Sequence, residues 1–134
     1  MMIETIEKKI EELLTSLDIF KVVERSISKK SLQSPPSAGI LLAFDKENAS
    51  KAISRDLGWD IMLMIPALGI AKGRTAGNNY IDAVRNAFVD WRPLTTGGVM
   101  PAKVPMIRLE GIQGTMLVYS ARVTMEAIPK VFAN

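Results

Sequence analysis

The stretch Met106-Ile107-Arg108-Leu109-Glu110-Gly111-Ile112-Gln113-Gly114-Thr115-Met116-Leu117-Val118-Tyr119-Ser120-Ala121-Arg122-Val123-Thr124-Met125-Glu126 decides the fold. Ile107 and Leu109 alternate with Arg108 and Glu110, and Leu117, Tyr119, Ala121, Val123 and Met125 alternate with Arg122, Thr124 and Glu126. That period of two marks two half-buried strands joined as a hairpin. A three-residue loop, Ile112-Gln113-Gly114, pairs Leu109 with Leu117 and Ile107 with Tyr119 on the core face. It also puts Gly114 where a left-handed residue is needed, whereas a two-residue loop would mismatch the faces.

Working back along the chain, Leu57, Trp59, Ile61, Leu63 and Ile65 alternate with Asp60, Met62 and Met64, which predicts a third strand. Gly39 to Phe44 is continuously apolar after the turn-forming Ser34-Pro35-Pro36-Ser37 and reads as a central strand. Ile19 to Val23 is a short β-branched strand. Between the strands, the polar residues Asp45 to Asp56 are a connection or an extended hairpin tip.

Two helices complete the pattern. Ile3, Ile6, Ile10, Leu13, Leu14 and Leu17 recur at spacings of three and four, so residues 3 to 17 form an amphipathic helix. Asn78 or Asn79 caps a second helix near 79 to 91, with Ile81, Val84, Ala87, Phe88 and Trp91 on one face and Pro93 beyond its end. Residues 66 to 77 and 92 to 105 read as loops, the second longer than an ordinary connection. The expectation is one α+β domain over 1–134, a mainly antiparallel sheet of about five strands with both helices on one face.

The 134 residues include no His and no Cys. Imidazole and thiolate supply most activated nucleophiles and transition-metal sites, so those chemistries and any disulfide are excluded. Asp45/Glu47 and Asp56/Asp60 sit in polar stretches with no sign of the burial that tunes a general acid. Gly69-Ile70-Ala71-Lys72-Gly73-Arg74-Thr75 fails as a phosphate loop, because it has three residues between its glycines where four are needed, and Arg in place of Lys. Lys72 and Arg74 are left as loop residues for weak anion contact before a helix N-terminus. The reading is of a non-enzyme with no cofactor and no metal.

A net charge of +3 without a basic run does not demand nucleic acid, and Lys29-Lys30, Lys46, Lys51 and Arg55 read as a solvated edge. Trp59 and Trp91 fall on core positions. The acidic start lacks a secretory pattern, and the longest apolar run, Ile61 to Ala71, is too short to span a bilayer. A cytoplasmic protein without membrane contact is expected. One oddity remains. Met62, Met64, Met116 and Val118 fall by parity on the sheet face away from the helices; they are either scattered apolar residues on an open face or, with the 92–105 loop, an interface.

Ile3-Glu4-Thr5-Ile6, Gly58-Trp59-Asp60-Ile61, Ile81-Asp82-Ala83-Val84 and the closing hairpin, in this architecture, resemble the tail terminator (tail completion) proteins of long-tailed bacteriophages, with the Mu-like prophage branch nearest. The resemblance implies a homo-oligomeric ring, commonly a hexamer, that caps the tail tube, stops its polymerisation and presents a surface for the head. It implies tail-tube and head-completion proteins as partners, and a place in the bacterial cytoplasm during assembly and in the virion tail thereafter. A closed ring needs two different patches on each copy. The alternatives are another head–tail connector component and a small-ligand-binding or regulatory α+β domain.

Overall fold

The computed structural model describes residues 2–26, 38–66, 70–95 and 97–132, and of residues 70–74 the backbone only. Helix α1 (Met2–Ser16) is followed by strands β1 (Val22–Ser26), β2 (Gly39–Ala49) and β3 (Arg55–Pro66). Helix α2 (Ile70–Ala87), strands β4 (Lys103–Gln113) and β5 (Met116–Ala127) and a 3-10 turn at Pro129–Phe132 come next. The strands form a sheet in the order β1-β2-β3-β5-β4, parallel only between β1 and β2. This is the expected α+β class with a mostly antiparallel five-stranded sheet.

Both helices cover one face. Ile6, Ile10 and Leu14 of α1, Val84 of α2 and Phe88 just past its end join a single buried cluster with Leu57, Trp59, Ile61, Leu63 and Ile65 of β3 and the inward residues of β5. Each fully buried Ile or Leu contributes roughly 1.5–3 kcal/mol, so this face carries most of the fold's stability. Polar ties add orientation to α1. Arg25 of β1 reaches Glu4 at 2.6 Å, Glu11 at 3.2 Å and Glu7 at 3.5 Å, and the Trp59 indole N–H donates to Glu7 at 3.1 Å.

Several boundaries differ from the sequence reading. Strand β1 lies three residues later than Ile19 to Val23, and β2 and β3 run on as a hairpin to Ala49 and Arg55, so the polar Asp45 to Asp56 is its extended tip. Helix α2 starts at Ile70, not near 79, and ends at Ala87. Lys72 and Arg74 are therefore helical residues, not a loop before a helix. Internal Gly73 and Gly77 cost about 1 kcal/mol each against Ala in a helix. Tertiary packing overrides that cost at Gly77, where a Cβ would lie 2.5 Å from the Tyr119 hydroxyl. The turn expected at Ser34 to Ser37, and Lys29-Lys30, lie outside the described residues.

The hairpin register also differs. A two-residue turn, Gly114-Thr115, places Gln113 opposite Met116; Leu109 then faces Tyr119, and Ile107 faces Ala121, instead of Leu117 and Tyr119. Gly114 is left-handed as expected, with φ 61°, and as the first central residue it suits the tight turn. The mismatch that such a turn creates is removed by a bulge between Leu109 and Gly111, where Gly111 takes φ 138°. Replacing Gly111 with Val is expected to cost about 1–3 kcal/mol, measured as a fall in the urea midpoint, because an L side chain is strained at that φ.

Candidate functional site

The sheet face away from the helices is built by strand alternation. Leu41 pairs with Met62, Met62 with Ser120, Asp60 with Arg122 and Met64 with Val118, so these residues share one side. Met62, Met64, Met116 and Val118, singled out in the sequence, do come together as a second apolar cluster separate from the main core. Yet Met64, Met116 and Val118 are 0%, 1% and 6% exposed, and only Met62 is half-buried. This part of the face is packed, not open to water.

The exposed apolar residues lie beside it on the edge strand. Met106 and Ile112 of β4, with Met62 and Val118, line an open groove of about 610 Å³ whose far wall carries Asp60 and Arg122. Met106 was legible in the sequence, since it shares parity with Arg108; Ile112 was hidden by its assignment to a loop.

The polar end of this face is an ion-pair network. Arg122 donates to Asp45 at 2.7 Å and to Asp60 at 3.1 Å, and a Cβ at Gly58 would lie 2.5 Å from its guanidinium. Glycine there leaves the space in which the guanidinium lies across β3. The hydrogen bond to Asp45, ahead of that to Asp60, raises the Arg122 pKa above its ordinary value. Along β4, the Glu110 carboxylate accepts from Ser120 at 2.5 Å and Arg108 at 2.7 Å, and these bonds, Ser120 first, hold its pKa below the usual 4.5. A depressed carboxylate stabilises the fold above its unfolded pKa, and that contribution is lost as pH falls through the folded value. In Glu110→Gln, acid titration of stability below pH 4.5 is therefore expected to be shallower than in the parent.

Residues 92 to 105 are tied to the chain itself. Val99 bridges Ala127, Met100 N–H donates to the Glu126 carbonyl at 2.9 Å, Ala102 N–H to that of Trp91 at 2.9 Å, and Ile128 N–H to that of Gly98 at 2.8 Å. Val99 and Ala102 are buried, while Met100 is 56% exposed. Where this segment meets the end of α2 and the start of β4, a second open cleft of about 900 Å³ combines Val89 and Met100 with Lys46, Lys51, Arg85 and Lys103. Both hollows open to solvent and combine charged with apolar side chains. Among the described residues no helix is long and apolar enough to cross a membrane.

No protein-family model and no curated protein matches the sequence. Among solved structures the chain is similar to one in the virion of a native gene transfer agent (GTA) particle, with a TM-score of 0.57, 14% identity, and coverage of 91% of this chain and 93% of that one. At that identity the likeness is one of fold.

Proposed function

We propose that the chain is a structural component of a phage-like particle, acting as a tail terminator: a ring that caps the tail tube, halts its growth and offers the surface to which the head attaches. The observation that carries this reading is the likeness to a gene transfer agent virion chain over nearly the whole of both chains. It is supported by a sequence without His or Cys and by open, partly apolar hollows beside an exposed edge strand. The ring number, six by the resemblance, and the Mu-like prophage affiliation belong to the proposal. So do the partners, the tube and head-completion proteins, and an interface role for the half-buried Met62, which Met64, Met116 and Val118 support from beneath as part of the chain's own packing.

A head–tail connector of the same kind of particle is the second reading, because the likeness is to a virion chain without a stated position in it. Particle production without the protein separates the two. A terminator's absence leaves tubes of uncontrolled length, seen by electron microscopy of lysates; a connector's absence leaves full heads and separate tails of normal length. Particles of normal length and infectivity would overturn both.

A further inference from the structure

We propose that copies of this chain associate head to tail, the acidic α1–β1 side of one copy seated against the basic cleft at the start of β4 in the next. This deepens the ring reading above and rests on it. Strands β1 and β4 are opposite edges of the sheet, so each copy carries two different sides, as a heterologous contact requires.

Among the described residues the two sides have opposite charge. Residues 2–25 hold six carboxylates, Glu4, Glu7, Glu11, Glu12, Asp18 and Glu24, against four cations, Lys8, Lys9, Lys21 and Arg25. Three of those carboxylates converge on the one guanidinium of Arg25. The cleft is lined by five cations and three carboxylates, and among the described residues its Lys46 and Lys103 form no ion pair. An excess of two charges on one side thus meets the opposite excess of two on the other.

Apolar contact accompanies the charge. Val89 and Met100 in the cleft are 64% and 56% exposed, Met106 and Leu109 project from the neighbouring β4, and Ile19 is exposed on the acidic side. Direct strand pairing along β4 is disfavoured, since bulges at Glu110 and between Lys103 and Met106, with Pro105 lacking an N–H, break it into two short regular stretches, Met106 to Leu109 and Gly111 to Gln113. The contact is therefore made by side chains, and charge sets its orientation and register.

The test uses two variants, Lys46→Glu/Lys103→Glu and Glu4→Lys/Glu12→Lys, each first shown to retain the parent's melting transition. Sedimentation velocity at low salt is expected to show each alone associating at least about tenfold more weakly than the parent, because like charges face each other. An equimolar mixture restores association, since each variant then meets only oppositely charged neighbours. A mixture that stays monomeric, or either variant assembling like the parent, overturns the proposal. If the parent itself is monomeric in dilute solution, the cysteine-free chain allows a second measurement. Glu12→Cys/Lys103→Cys in one chain gives, on oxidation at high concentration, a ladder beyond dimer; no product, or dimer only, counts against the contact. Rings of parent protein seen by microscopy without rescue in the mixture would leave the ring reading standing and the surface wrong. Particles with tails of normal length in the protein's absence would remove the ring reading even if copies associate.

Discussion

Met64→Lys is expected to leave the protein only marginally folded at 37 °C. Met64 is fully buried between Gly39 of β2 and Val118 of β5. A lysine there either buries an unpaired ammonium or gives up its charge, and either route costs several kcal/mol. Against a total stability of about 5–15 kcal/mol for a domain, that removes most of the margin. Circular dichroism against temperature checks it, and a melting transition within a few degrees of the parent would show that the face is open after all. The consequence reaches the interface question. A charge at Met64 cannot report on assembly, because the fold goes first. Met62→Lys can: Met62 is half-buried, and a lysine there lays its stem on the apolar surface with its head in water.

Trp59→Ala carries the second large effect, about 3–5 kcal/mol. The side chain is completely buried, meets the edge of Phe44 with ring centroids 5.3 Å apart and donates to Glu7 of α1 at 3.1 Å. Truncation leaves a cavity under the helix and also strands the Glu7 acceptor. Trp59→Phe separates the two contributions, since it keeps most of the packing and loses the hydrogen bond, at a cost of about 1.5–3 kcal/mol for a bond to a carboxylate. Urea unfolding of the two variants measures the difference; equal midpoints would mean that the bond, not the ring volume, holds α1 in place.

Alternation along 57–65 and 117–125 and the spacing of Ile6, Ile10 and Leu14 were enough to identify α1, β3, β5 and the helix-covered face, because burial on one side imposes those periods directly on the residues. The left-handed Gly114 was legible for the same local reason: a tight turn needs that backbone. The sequence also placed Met62, Met64, Met116 and Val118 on one face, which follows from parity alone. Tertiary structure decided what parity cannot carry. The bulge before Gly111 turned a two-residue hairpin into one with matched faces, and the close approach of Tyr119 to Gly77 favours glycine at that point inside a helix that the local sequence reads as a loop. Burial of the methionine cluster, and the gathering of Lys46, Val89, Met100 and Lys103 around one cleft, depend on contacts between residues far apart in the chain. A local pattern records which side of an element is apolar; only the packed chain determines whether that side meets its own interior or water.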